Sequence, residues 1–314
     1  MPLAPSLFDL QINGYAGIDF QSSTLTAADL RHAIDRLRAG QTHRILLTLI
    51  TDEIDALVRK FAQIEKYRAA DPVLAETICG YHLEGPFLSP EEGYRGAHPG
   101  ECMRAPDLAL FAQWQEAAGG NIRLLTVAPE WPGSAQFIEA VVAQGVVISL
   151  GHTNAGEKRI DEAIRAGATM ITHLGNGTPV TLPRHDNIIQ RLLARDELTA
   201  CLIPDGAHLP PFVVRNFFRA KPPGKILLTT DAMAAGGAPP GRYRIGRLEV
   251  ESRDGFVRLP GSGNLAGSCL APLQGVTNAA SWLGISTAEA REMFSTRVAA
   301  QFGIRLPEVE IGGE

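Results

Sequence analysis

The chain has 314 residues, 45% of them hydrophobic and 20% charged, with a net charge of −5. That is ample apolar material for a large core, and α/β barrels routinely reach this length as one domain. With no basic surplus to neutralise a phosphate backbone, and no apolar run long enough to cross a bilayer, neither nucleic acid nor membrane is an expected partner.

Short apolar runs rich in β-branched residues occupy 7–12, 45–50, 78–83, 122–127, 146–150, 169–172, 198–203 and 226–230. They lack strict polar/apolar alternation, as do parallel strands covered on both faces. Helix-like segments lie between them: 27–39 behind Thr26, 53–69 behind Thr51 and Asp52, and 155–166 behind Asn154, all residues suited to capping. Such alternation predicts βαβ units, and eight of them predict a closed (β/α)8 TIM-type barrel rather than an open doubly wound sheet. No GxGxxG follows the first strand, so nothing specific supports a dinucleotide fold. Segment 91–105, polar and punctuated by Gly and Pro, reads as a βα loop over the barrel mouth. Segment 242–259 alternates like a β-hairpin with Asp254-Gly255 as its turn, inserted after strand eight. Helices at about 271–283 and 287–302 are expected to close the barrel.

Polar residues gather where these strands end, the face on which barrel active sites lie. Glu84 ends the third strand, His152 and His173 follow the fifth and sixth, and Asp231 follows the eighth. One carboxylate and two imidazoles suit zinc or another first-row divalent metal, because catalytic zinc keeps three protein ligands and an open position. Bound metal lowers the pKa of water and polarises a carbonyl, and Asp231 would serve as general base and then general acid. Each residue also has a plainer reading. A lone histidine is more often a hydrogen-bonded structural residue, and Asp231 alone suits a helix cap. All four at strand ends in one register favour the metal site. His82 reads as packing or as support for the site, and His98 as a loop residue that is either functional or on the surface.

The motifs HLEGPF at 82–87, GHTNA at 151–155, THLGN at 172–176, DGAHLPP at 205–211, TTDAMAA at 229–235 and LAGS at 265–268 occur in the order seen in N-acetylglucosamine-6-phosphate deacetylases. DLQINGYAGIDF at 9–20 resembles the first barrel strand of that family, which belongs to the amidohydrolase superfamily. The resemblance runs from about residue 8 to about residue 300. It implies Glu84, His152 and His173 as metal ligands and Asp231 as the catalytic acid/base. It implies one metal, because Gln11-Ile12-Asn13 stands where many amidohydrolases carry an HxH. Zinc is the first expectation, with iron, manganese or cobalt as alternatives. For the substrate it implies His98 near the acetyl and sugar groups, Asn176 and the Gly177 backbone at the sugar phosphate, His208 at the sugar and Arg184 at the phosphate. A guanidinium fork matches phosphate oxygens, although Arg184 also reads as a surface arginine. Family members often form dimers, which makes a homodimer an expectation of the resemblance alone. The family's flanking β-sandwich is not expected, so 1–314 reads as a single barrel domain.

The reading that follows is hydrolysis of the acetamide of N-acetylglucosamine-6-phosphate to glucosamine-6-phosphate and acetate. Two alternatives stay open: another N-acetyl amino sugar or small amide, and an inactive barrel serving as a binding module. Gly175-Asn176-Gly177-Thr178, where the family usually has an aromatic residue and then Asn-Ala-Met, changes the pocket wall and so leaves the substrate open, and together with the expected absence of the sandwich it gives the inactive barrel its weight. Cys79, Cys102, Cys201 and Cys269 form no CxxC pair and read as reduced thiols, and the N-terminus shows no signal peptide, so a cytoplasmic protein is expected.

Overall fold

The computed structural model describes residues 2–261 and 263–311. The apolar runs form β1 (Leu7–Ile12), β2 (Thr42–Ile50), β3 (Ile78–Glu84), β4 (Ile122–Val127), β5 (Val147–Leu150), β6 (Met170–Ile171), β7 (Thr199–Leu202) and β8 (Ile226–Leu228). Each strand pairs in parallel with its neighbour in chain order, giving one eight-stranded sheet. The ends of that sheet meet just beyond β1 and β8. Ile12 and Ala232 form a parallel bridge, Asp231 N donates to Gln11 O at 2.9 Å, and Asn13 N donates to Ala232 O at 2.6 Å.

A buried carboxylate welds this seam. Asp9 accepts from the Thr229 hydroxyl at 2.6 Å, from Thr230 N at 3.2 Å and from Gln11 N at 3.3 Å, and also from the Thr230 hydroxyl. Burial outweighs these bonds and pushes the Asp9 carboxyl up to about 6.

Apolar side chains fill two zones. Phe8, Leu10, Leu46, Leu124, Met170, Cys201 and Leu227 meet inside the barrel, with Val298 and Phe302 packed against them from the last helix. A larger layer joins the outer strand faces to the helices. Helix Ala27–Ala39 shows the sequence logic: Thr26 and Asp29 form a capping box, and Leu30, Ala33, Ile34 and Leu37 face the core at helical spacing.

The structure corrects several expectations. Helix Ile54–Ala70 starts behind Glu53, whose side chain makes no capping bond. Thr51 and Asp52 are engaged elsewhere, Thr51 with the Glu84 carbonyl and Asp52 with Lys60. Helix Glu157–Arg165 opens on Gly156, while Asn154 reaches across to Glu91. The expected hairpin is a three-stranded antiparallel sheet of Gly241–Ile245, Leu248–Arg253 and Phe256–Arg258. Its extra turn is at Gly246, in the left-handed region with φ 56°, whose amide is held by Asp19 Oδ2. The expected helix at 287–302 is two, Thr287–Met293 and Thr296–Phe302. The break is at Ser295, whose hydroxyl turns back to the Arg291 carbonyl at 2.7 Å.

Replacing Asp9 with alanine strands its donors inside the seam. Each buried donor left unpaired costs about 1–3 kcal/mol, so Asp9→Ala should lose about 3 kcal/mol or more of unfolding free energy. Urea unfolding checks this, and an unchanged midpoint would show that the seam holds without the carboxylate.

Candidate active site

Strand ends deliver the polar cluster. Glu84 is the last residue of β3, and His152, His173 and Asp231 lie just past β5, β6 and β8. These last three adopt left-handed backbone, with φ of 49°, 29° and 50°. Each such non-glycine residue costs about 1–3 kcal/mol and persists only where its surroundings over-determine it, typically at a functional site.

The side chains converge closely. His173 Nε2 is 3.0 Å from Glu84 Oε1, His152 Nε2 is 3.3 Å from the same oxygen, and the two Nε2 atoms are 3.1 Å apart. A tetrahedral cation with ligand bonds of about 2.0–2.1 Å spaces its donors roughly 3.3 Å apart, so these three atoms fit one. His98, buried rather than on the surface, adds a second triplet: Glu84, His98 and His152 offer donor atoms within 4.8 Å of one another. His98 Nε2 is 3.8 Å from Glu84 Oε2, and its Nδ1 is bonded to Thr51 Oγ1 at 2.9 Å.

The two carboxylates are driven apart in acidity. Burial works against the charge on Glu84, but hydrogen bonds from His152 and His173 hold it well below the usual carboxylate range. Burial and the nearby Glu84 charge push Asp231 up to about 7. Burial lowers His98 to about 3 and His82 to about 4, keeping both rings neutral.

Gln11 and Asn13, which stand in place of the HxH, bind the carboxylates directly. Gln11 Nε2 donates to Glu84 Oε1 at 3.1 Å, and Asn13 Nδ2 donates to Asp231 Oδ1 at 2.6 Å. Ser268 of the LAGS segment braces Asp231 from behind: its amide donates to Asp231 O at 2.9 Å and its hydroxyl to Thr230 O at 2.6 Å. His82 supports the site from below, with Nε2 at 2.7 Å from Thr126 Oγ1, which in turn meets Thr172 Oγ1 at 2.7 Å.

The His152 imidazole is held on several sides. Its Nδ1 bonds the Tyr94 carbonyl at 2.8 Å, and its own carbonyl accepts from Ser89 N at 2.9 Å. A Cβ built at Gly96 would lie 2.9 Å from His152 Cε1, and one at Gly177 would lie 2.8 Å from its Nδ1, so the ring is clamped between two bare backbones. Gly177, expected at the sugar phosphate, thus also seats this imidazole. Asn176 Nδ2 donates to His173 O at 3.2 Å. His208 bonds Asp205 and lies close enough to Asp231 for each to affect the other's titration. Arg184 is exposed and makes no hydrogen bond or ion pair among the described residues, so nothing ties it to the cluster.

Sequence reasoning missed Thr51, Thr126, the Tyr94 carbonyl and Gly96. Thr126 was within reach, since it is the last residue but one of β4 and pairs in register with Glu84. The other three belong to loops, where no periodicity tells which group turns inward. A groove of about 1590 Å³ lies elsewhere, among 17–25, helix Ile54–Ala70 and the three-stranded sheet, and shares none of the cluster residues.

A closed parallel barrel with a carboxylate and imidazoles gathered at the C-terminal ends of its strands has the architecture of a barrel hydrolase suited to work at a metal. The N-acetylglucosamine-6-phosphate deacetylase of Bacillus subtilis is 33% identical over 304 residues, which span 96% of this chain and 76% of that protein. The N-acetyl-D-glucosamine-6-phosphate deacetylase of Mycobacterium smegmatis, a mutant solved in complex with N-acetyl-D-glucosamine-6-phosphate, superimposes with a TM-score of 0.86 at 30% identity, over 96% of this chain and 78% of that one. The enzyme from Pasteurella multocida gives 0.87 at 28% identity, over 99% and 80%. No family model matches the chain. On these similarities the chain belongs to the N-acetylglucosamine-6-phosphate deacetylase family.

Gly177→Ala should push the His152 ring aside and, if that imidazole is a ligand, weaken binding of an added divalent metal by about tenfold or more, the scale on which supports of a metal ligand act. Competition with a chromogenic chelator measures this. Unaltered affinity would mean that Gly177 does not set the ring.

Proposed function

We propose that this protein hydrolyses the acetamide of N-acetylglucosamine-6-phosphate, releasing acetate and glucosamine-6-phosphate. Glu84, His152 and His173 would hold one divalent metal, with zinc first in expectation, and Asp231 would carry the protons. The observation that carries this reading is the convergence of three donor atoms at 3.0 to 3.3 Å beside a carboxyl raised to about 7. His173 is favoured over His98 as third ligand because its Nε2 is near both other donors, whereas His98 sits farther out and is tethered to Thr51.

When bound, the metal would supply Lewis acidity to the acetyl carbonyl and to a water. The protein's own groups do the rest. Asp231, balanced near neutrality, can take a proton from water and return it to the departing amine. Asn13 holds Asp231 Oδ1, which leaves Oδ2 as the oxygen that exchanges the proton. His98, Asn176, Gly177 and His208 would contact the acetyl and sugar groups, with Arg184 on the phosphate. The relatives' shared activity and the bound sugar phosphate of the Mycobacterium smegmatis structure support the substrate. Gly175-Asn176-Gly177-Thr178, which departs from the family pattern, favours a second reading with a different N-acetyl sugar.

Zinc-loaded protein should release acetate from N-acetylglucosamine-6-phosphate faster than from other N-acetyl sugar phosphates; the opposite order would favour the second reading. Asp231→Asn should retain metal and lose about a thousandfold in kcat, within the range expected for general acid–base catalysis. Full turnover in that variant would remove Asp231 from its role. Arg184→Ala should raise KM about tenfold or more for the phosphorylated sugar and leave the neutral sugar unchanged, as loss of a charged contact does. Equal effects on both would take Arg184 off the phosphate.

A further inference from the structure

We propose that Asp205 is a positioning residue for this reaction, holding the His208 imidazole with Nδ1 turned inward and Nε2 presented to the substrate. The inference deepens the deacetylase reading and rests on it only for the substrate used in the assay.

One carboxylate does two things here. Asp205 Oδ1 accepts from Ala207 N and His208 N, both at 2.8 Å, which closes the turn after β7. Its Oδ2 meets His208 Nδ1 at 2.7 Å. The turn needs only the first oxygen, and asparagine closes such turns as well, serine more weakly. The second contact is surplus to folding the turn. A carboxylate accepts through both oxygens, so His208 Nδ1 must carry a proton to meet it. The turn is also anchored from outside: Asn278 Nδ2 donates to Pro204 O at 2.8 Å, and the Trp282 ring stands 3.6 Å from where a Cβ on Gly206 would be. With the backbone held, ring rotation is the freedom left to His208, and Oδ2 removes it.

The opposite nitrogen is then the working atom. His208 Nε2 makes no hydrogen bond among the described residues, yet it is not among the sealed, unpartnered atoms. Burial would lower the titration of His208, but the bond to Asp205 and the charges of Asp205 and Asp231 raise it above the ordinary histidine value. With Nδ1 turned to Asp205, Nε2 accepts from a sugar hydroxyl when the ring is neutral and donates to a sugar oxygen when it is protonated.

Asp205→Asn tests the assignment. It keeps the turn acceptor and replaces Oδ2 with an amide that donates, so Nδ1 must become the acceptor. The ¹⁵N shift of His208 Nδ1 should move from the protonated to the unprotonated range. KM for N-acetylglucosamine-6-phosphate should rise about tenfold with kcat within about threefold, and D205N/H208Q should be no worse than H208Q alone. An unchanged ¹⁵N shift would overturn the proposal, as would a full D205N loss in the H208Q background. Asp205→Ser, which keeps one acceptor and removes the other, gives the same readouts if D205N does not fold. If the native protein releases no acetate from this sugar, the deacetylase reading falls, while the ¹⁵N measurement still judges Asp205.

Discussion

The closure of β8 onto β1 is the constraint on which the site depends. A parallel sheet of eight strands leaves two open edges unless its ends meet, and here they meet through the buried Asp9 and the backbone bonds of Gln11, Asn13, Asp231 and Ala232. That seam carries Asp231 around to face Glu84, which belongs to β3. Without closure, the two carboxylates would stand on distant parts of an open sheet. The same seam supplies the amides of Gln11 and Asn13, each bonded to one of those carboxylates.

Two carboxylates in one buried pocket do not titrate alike. Imidazole contacts keep Glu84 ionised, and its charge, together with burial, lifts Asp231 toward neutrality. Environments that push a pair apart in this way suit one group to remain an anion and the other to carry a proton, the roles proposed above for Glu84 and Asp231. The arrangement is costly to fold, since it buries charge and holds three non-glycine residues in left-handed backbone. Its stability is drawn from around it: the apolar interior beneath, the hydroxyls of Thr126 and Thr172, and the Asp9 seam.

The loop after β3 acts as part of the site wall. Ser89, Tyr94, Gly96 and His98 all touch His152, through hydrogen bonds, close backbone approach and edge-on ring contact, the two rings lying 4.5 Å apart. Fixing Nδ1 of an imidazole leaves Nε2 with its lone pair free, the state needed for coordination. The loop's glycines matter here for their lack of a side chain, since a methyl group at position 96 or 177 would occupy the space of the ring.

The eight barrel strands, their parallel order and the polar residues at their ends were all legible in the sequence, because burial on two faces writes continuous apolar runs and strand ends write the break. The motif order carried the family, and with it Glu84, His152, His173 and Asp231. Local capping was only partly readable: Thr26 caps as expected, but Thr51 and Asn154 were drawn away by partners distant in the chain, and Asp52 by Lys60 of the following helix and by Arg247. The three-stranded insertion and the break at Ser295 also escaped, since each turns on one residue's backbone angle or back-bonded hydroxyl. What only the tertiary structure decided is which groups face one another: Gln11 on Glu84, Asn13 on Asp231, and Tyr94 and two glycines around His152. Those contacts arise from the curvature and closure of the barrel and the path of its loops. Spacing along a chain records which side chains are present at a strand end, but distance across the barrel is set by all the strands together.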